Sequence, residues 1–245
     1  DAAFLSGKLD GMLTDYPGAT LLQAKGSRLR LVMETDGSLS LIASKKSNVR
    51  NPDDLKGKNI SVSGNTFVEY ATDEVMKRAC LHPGEVNKPE INNIPLRLMM
   101  LEDGQISASF LPGPATAIAL NDGHTALLNT RQMGLRCTGI VFSEKAITEK
   151  DEEIRRFITG YNLGVKYLQT RPQNEWTEIL VKEFGLQEKA AMQIDLPDYR
   201  PATRPSYHDI EKIIAWLKSK GAIPDYYPGE NLVDTTFIPG TLKPQ

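Results

Sequence analysis

Hydrophobic residues along this chain keep two different periods. Up to about residue 143 they fall in short runs, several alternating with polar residues; beyond about residue 150 they recur every three to four positions. Ile60 and Val62 alternate with Ser61 and Ser63, and Leu29, Leu31 and Met33 alternate in the same way, the period of a strand with one buried face. Leu39–Ala43, Ala126–Leu128 and Cys137–Phe142 are apolar enough for buried strands, and Thr35-Asp-Gly-Ser38 reads as a turn. Ala71, Val75 and Ala79 mark one face of a helix that begins near Thr66. Thr66 followed by Glu69 has the spacing of a capping box, in which the hydroxyl takes the N–H of the third helical residue. Further on, Ile154, Phe157, Ile158, Tyr161, Val165 and Leu168 form one stripe, predicting a long helix from about Asp151 that Arg171-Pro172 closes. Trp176, Ile179, Leu180 and Phe184 predict a second helix ending near Gly185; Ser206 starts a third, with Ile210, Ile213, Ile214 and Leu217 inward and Gly221 at its end. The Trp and Tyr residues on these helices share the apolar stripes and are expected in the core. The Pro-, Gly- and Tyr-rich tail from Pro224 is expected to drape over the surface.

Two regions of the chain resemble each other at an offset of 97 residues. Gly7 matches Gly104, Leu9 matches Ile106, Leu13 matches Phe110, Pro17 matches Pro114 and Gly26 matches Gly123. Each copy reads as a helix end at Gly, a buried strand, a Pro/Gly turn and an Ala-rich helix, which predicts two related halves. A strand–helix–strand unit from Leu55 to about Ile94 precedes the second copy, and Pro95 then opens a helix. Only four residues precede the first copy, so the first half is expected to lack an opening strand and helix or to be smaller by nature.

The predicted helix start at Thr66 also carries candidate chemistry. Free N–H groups and the positive end of the helix dipole, beside Ser63, Asn65 and Thr66, suit a small polar or anionic group, although an ordinary capped helix has the same pattern. Catalytic signatures are sparse. His82, His124 and His208 have no ligand-like spacing to another His or Cys, Cys80 and Cys137 form no metal motif, and no phosphate loop, dinucleotide fingerprint or nucleophile elbow occurs. No metal or cofactor is expected. Cys80 follows the helical apolar positions and is expected as a buried thiol; Glu69, Asp73 and Glu74 are expected on a solvated helix face. A net charge of −2 with scattered Lys and Arg gives no nucleic-acid footprint. No run of 18 apolar residues occurs.

Leu55-Lys-Gly-Lys-Asn-Ile-Ser-Val-Ser-Gly64, Leu101-Glu-Asp-Gly-Gln-Ile-Ser-Ala-Ser-Phe-Leu-Pro-Gly-Pro114 and Asp209-Ile-Glu-Lys-Ile-Ile-Ala-Trp-Leu-Lys-Ser-Lys-Gly221 together resemble solute-binding proteins of ABC transporters, in the nitrate/sulfonate/taurine and thiamine-pyrimidine-precursor group. The resemblance implies an α/β, two-lobed periplasmic binding protein type II fold with mixed sheets and two hinge crossings. Lobe one would be residues 1–44 and 139–245, with its first strand and helix missing, and lobe two residues 45–138. Asn51–Leu55 and Thr138–Phe142 are the expected crossings. The implied ligand contacts are Asp15, Tyr16, Ser38, Ser63, Asn65, Thr66, Phe67, Pro112 and Gly113. Asp15 facing the cleft would favour a solute with an amine or another donor; Asp15 capping the following helix would leave an anion admissible. The implied activity is capture of a small polar solute by hinge closure, without chemistry, for an ABC permease in the membrane. A monomer is expected, periplasmic or anchored to the cell envelope as a lipoprotein, with its signal sequence outside this chain. The alternatives are a ligand-sensing domain of a receptor and, on the same scaffold, a pyrimidine-precursor biosynthetic enzyme, whose cysteine-rich motif is absent here.

Overall fold

The computed structural model describes residues 2–185, 187–192 and 199–238. In chain order its elements are α1 (Ala2–Leu5), β1 (Gly11–Asp15), α2 (Tyr16–Ala24), β2 (Leu29–Thr35), β3 (Leu39–Ala43), a 3-10 turn (Pro52–Leu55), β4 (Ile60–Ser61), α3 (Phe67–Arg78), α4 (Ile94–Asp103), β5 (Ala108–Pro112), α5 (Gly113–Asn121), β6 (Thr125–Asn129), β7 (Thr138–Ser143), α6 (Glu144–Glu149), α7 (Asp151–Thr170), α8 (Gln173–Phe184), α9 (Glu188–Met192) and α10 (Tyr207–Ser219). They form two compact units. The first contains Asp1–Asp36, Arg136–Thr170 and Asp198–Gln245; the second contains Gly37–Leu135 and Arg171–Pro197.

The first unit is built on an antiparallel sheet of order β1-β7-β2. One core cluster joins Val32, Met33 and Phe142 of its strands to Ala146 of α6, Ile154 and Ile158 of α7, and Phe237 and Ile238. The stripe on α7 therefore points where its period predicts, with one exception: Phe157 stays half exposed and meets Phe142 edge to face at 5.7 Å. α10 likewise buries Ile210, Ile213 and Leu217. The segment after Pro224 corrects the expectation of a surface tail. Tyr227, Leu232, Phe237 and Ile238 are buried, and Leu31 exchanges backbone hydrogen bonds with Leu232 and Asp234. These apolar side chains decide its course more than its Pro and Gly content does; residues 239–245 lie outside the described residues.

The second unit holds a mixed sheet of order β4-β5-β3-β6, in which only β4 and β5 run parallel. Ile42, Leu101, Ile106, Leu111, Ala115 and Ala119 form its core under α4 and α5. β3, placed by sequence in the first lobe, is a central strand here because its Leu41 and Ile42 pack between β5 and β6. Asn51–Leu55, read as a crossing, is a 3-10 turn within this unit, with Asn51 as its cap. The segment after α3 runs beside β4 through isolated parallel bridges, Asn59 to Asn87 and Val62 to Glu90.

The repeat is present in register. β1 and α2 occupy residues 11–15 and 16–24, β5 and α5 residues 108–112 and 113–121, each displaced by 97. Gly7 and Gly104 follow the preceding helices with φ of 73° and 74°, a conformation that only glycine adopts without a steric penalty. One part of the expectation fails. β1 is not a buried strand: Leu13 is 66% exposed whereas Phe110 of β5 is fully buried. β5 lies between β4 and β3, while among the described residues β1 has a strand partner on one side only, β7.

Candidate functional site

Strand register gathers most of the sequence-predicted residues of the second unit at one end of its sheet. Leu39 pairs with Pro112 and Ser61 with Ser109, so the start of β3 and the ends of β4 and β5 share that edge. Ser38 precedes β3, Pro112 and Gly113 join β5 to α5, and Ser63, Asn65, Thr66 and Phe67 join β4 to α3.

The α3 start is more tightly built than its sequence suggests. Thr66 Oγ1 accepts from the N–H of Val68, the second helical residue rather than the third, and donates to the Ser63 carbonyl at 2.7 Å. Glu69 reaches back one residue further than a capping box would, taking the Asn65 N–H at 2.7 Å. Asn65 can present that N–H because it adopts a left-handed conformation, φ 55°, which asparagine tolerates better than most residues. Ser63 Oγ lies 2.6 Å from Asn92 Oδ1. Phe67 is buried and floors the turn. Glu69 is thus not on a solvated face: it is buried and paired with Lys88, which also meets Asp73 at 2.7 Å. Burial opposes the Lys88 charge, but hydrogen bonds to the two carboxylates outweigh it and raise its pKa.

At the α5 start the N-cap is Pro112, which offers no side-chain hydrogen bond. A Cβ added at Gly113 would meet nothing within 4 Å, so the backbone there faces open space. The N-cap residue thus leaves the early N–H groups of this nine-residue helix without a side-chain cap of its own, and the dipole adds a partial positive charge. Behind this edge lies Arg97 of α4, 3% exposed. Its guanidinium donates to the Phe110 carbonyl at 2.9 Å and approaches Ser109 Oγ at 3.5 Å; Ser109 in turn meets Ser61 Oγ at 2.9 Å. Arg97 Nε is buried without a partner, and among the described residues no carboxylate pairs with this arginine. Burial alone pulls its pKa below the ordinary arginine value.

The first unit treats the corresponding positions differently. Asp15 ends β1 and caps α2, its Oδ1 accepting from the Gly18 N–H at 2.7 Å. A Cβ on Gly18 would sit 2.9 Å from that carboxylate oxygen and from Thr14 Oγ1, so a larger residue would have to push the capping side chain aside. Tyr16 is fully buried, and its hydroxyl donates to Glu34 at 3.1 Å. Burial first, and then the Glu34 charge, push its pKa far up, so it remains a phenol. Glu34 and Asp36 are buried but balanced: Arg200 meets Glu34 at 2.6 Å and Asp36 at 2.8 Å, and Arg136 meets Asp36 at 3.0 Å. Burial opposes the Arg200 charge, and its bonds to Glu34 and Asp36 overcome that. Thr35 and Thr138, paired in register beside Asp15, link hydroxyls at 2.9 Å. Tyr161 Oη is buried without a partner; burial, then the Asp36 charge, bring its pKa up to about 12.

Sequence reading missed Arg97, Glu34, Asp36, Arg136 and Arg200. The last four come from three separate stretches of chain, so no local motif joins them. Arg97 did leave a signal, a charge in the apolar series Ile94-Pro-Leu-Arg-Leu-Met-Met-Leu101. Cys80 is another correction: it is exposed, with φ 53°, because α3 ends at Arg78 and Cys80 occupies the left-handed position beyond the cap. Among the described residues no group of three His, Cys, Asp or Glu is placed to hold a metal ion, and no helix is long and apolar enough to cross a membrane.

The family model described as NMT1/THI5 like matches residues 1–175. No curated protein sequence matches this chain significantly. Among solved structures, the periplasmic aliphatic sulphonate-binding protein SsuA of Escherichia coli aligns with TM-score 0.80 at 14% identity, covering 98% of this chain and 80% of that one. The alkanesulfonate-binding SsuA of Xanthomonas axonopodis pv. citri, bound to MOPS, aligns with TM-score 0.77 at 18% identity, covering 91% and 80%. The desulfurization enzyme DSZB also aligns, with TM-score 0.65 at 11% identity over 93% and 83%. The fold is that of periplasmic binding proteins, and its neighbours are mostly ligand-binding components of ABC import systems.

Proposed function

The chain belongs to the NMT1/THI5-like family, and from that premise we propose that it is the solute-binding component of an ABC importer. It captures a small polar solute outside the cytoplasm and presents it to a membrane permease. The observation that carries this reading is the edge of the second unit's sheet. Ser38, Ser63, Asn65, Thr66, Phe67, Pro112 and Gly113 gather there, at a helix start to which its N-cap, Pro112, gives no side-chain hydrogen bond. Asp15, Thr35 and Thr138 lie together in register at one edge of the first unit's own sheet, with buried Tyr16 next in the chain. Asp15 is occupied as a helix cap, which supports an anion being admissible. Capture by closure of the two units, action as a monomer and a periplasmic or envelope-anchored location belong to the same proposal.

A thermal-shift series with alkanesulfonates, taurine, nitrate and aminopyrimidines tests it. A ligand that binds only the folded chain raises Tm, by an amount that grows with its concentration. A concentration-dependent rise is expected for at least one class; flat melting curves across the whole set would overturn the reading. The fold shared with DSZB keeps an enzymatic reading in view. Chemistry would show as conversion of a candidate solute to a new product; every solute is expected to be recovered unchanged.

A further inference from the structure

The chain passes between the two units after residues 36, 135, 170 and 197. On the side of the first unit, residues at or beside all four passages are bonded to one another. Asp36, the last residue before the first passage, is buried. Its Oδ1 accepts from Arg136 Nη1 at 3.0 Å, and Arg136 is the first residue after the second passage. The same oxygen accepts from Arg200 Nε at 2.8 Å, while Oδ2 takes the backbone N–H of Arg200 at 2.8 Å, just past the fourth passage. Thr35 and Thr138 link the first two passages a second time: their hydroxyls meet at 2.9 Å, and Thr138 Oγ1 donates to the Thr35 carbonyl at 3.1 Å. Gln169 Nε2, at the end of α7, donates to the Tyr199 carbonyl at 2.7 Å and so joins the third passage to the fourth. Bonds from a guanidinium to a carboxylate are roughly twice as strong as neutral ones. Burying Asp36 costs free energy that the two arginines offset only while they stay bonded to it, so the passages are held and not merely adjacent. Glycines lie immediately beyond the bonded residues: Gly37 follows Asp36 directly, and Gly134, at φ 70°, lies shortly before Arg136. Glycine absorbs backbone rotations that other residues resist.

We propose that this network is the fixed half of a hinge, with Asp36 as its anchor. It holds the points at which the chain leaves the first unit together as one piece. Movement between the units is thereby confined to the residues just past it, Gly37 and Gly134 at the first two passages. Every tie lies inside the first unit, so the clasp persists whatever position the second unit takes.

Double electron–electron resonance between two spin labels on the full chain, with no solute added, tests it. One label goes on native Cys80 of the second unit, which is exposed, and the other on Lys145→Cys of the first, where the native side chain is 78% exposed; Cys137 is buried and stays unlabelled. Asp36→Ala is expected to broaden the distance distribution by about 3 Å or more, since each backbone residue released from the network spans up to about 3.5 Å. Arg136→Gln cuts one tie at a half-exposed side chain and is expected to broaden it less. Lys88→Met removes an ion-pair cation within the second unit, far in sequence from every passage, and is expected to leave the width unchanged. Two results overturn the inference: an unchanged width in Asp36→Ala, or an equal broadening in Lys88→Met, which marks general loosening in place of a hinge anchor. Should Asp36→Ala fail to fold, the same two results are read on Arg136→Gln. No solute enters the measurement, so failure of the solute-binding reading leaves the clasp untouched, and failure of the clasp leaves solute binding standing.

Discussion

The strand–helix pairs β1–α2 and β5–α5 share length, register and flanking glycines, yet they end in opposite electrostatic states. Residue 15 is Asp and fills the start of α2 with its own carboxylate; the equivalent residue 112 is Pro and leaves the start of α5 open. The buried charges follow the same division. Glu34 and Asp36 of the first unit meet Arg200 and Arg136, whereas Arg97 of the second has no acidic partner among the described residues. The same backbone therefore ends in a helix start capped by a side chain in one copy and in one that its N-cap residue leaves uncapped in the other. Backbone repetition is inexpensive to keep; one side chain at the N-cap decides what the helix terminus can take.

The largest predicted effect comes from breaking the balanced network. Glu34→Ala strands the buried Tyr16 hydroxyl and half of the Arg200 pairing, and is expected to lower stability by about 2–4 kcal/mol, the low end applying because Arg200 is partly exposed and screened. Urea denaturation measures it, and a loss below about 1 kcal/mol would show that the network contributes little. Exchanging the caps sharpens the comparison. Asp15→Ala should cost about 1 kcal/mol through loss of the α2 cap. Pro112→Asp should gain a few tenths to about 1 kcal/mol and, on the proposed solute-binding reading, weaken binding of an anionic solute such as methanesulfonate about tenfold or more, since a carboxylate would then fill the helix start. Unchanged titration curves for Pro112→Asp would place the anion elsewhere. Cys80→Gly relieves a left-handed non-glycine residue and should raise stability by about 0.5–1 kcal/mol, read from the same denaturation curves.

The smallest effect is a pH dependence confined to the second unit. His124 is buried, its Nδ1 accepts from the Lys45 N–H at 3.1 Å, and its Nε2 lies 3.2 Å from Glu102. Burial lowers its pKa from 6.5, with the Glu102 charge opposing and the Lys45 charge assisting. A histidine kept neutral by folding gives up stability as pH falls below its unfolded pKa, because the unfolded chain takes up the proton first. Wild type is therefore expected to lose more stability than His124→Gln between about pH 7 and pH 5. Parallel losses in the two proteins would remove His124 as the cause.

Much of this was legible in the sequence where the physics is local. The glycines at 7, 26, 104 and 123 mark positive-φ stops, Ser206 caps α10 and Gly221 ends it, and the 97-residue offset survives in the element bounds. Leu13 was misread because a strand's apolar pattern does not say how many neighbours it has. Cys80 was misread because a helical stripe runs one residue past the helix end. Glu69 was misread because its partner, Lys88, lies beyond the next turn. In the second unit the candidate residues were legible as helix starts, but the charges behind them depend on tertiary pairing. That no carboxylate meets Arg97 among the described residues is visible only once its neighbours are in place.

Backbone amide chemical-shift mapping during titration with methanesulfonate tests the central claim most directly. The account predicts saturable shifts at Gly113 and Ala115, smaller ones around Thr66, and none beyond background at Gly18, where Asp15 already holds the helix start. Shifts at Gly18 without any at Gly113, or no saturable shift in either copy, would contradict it.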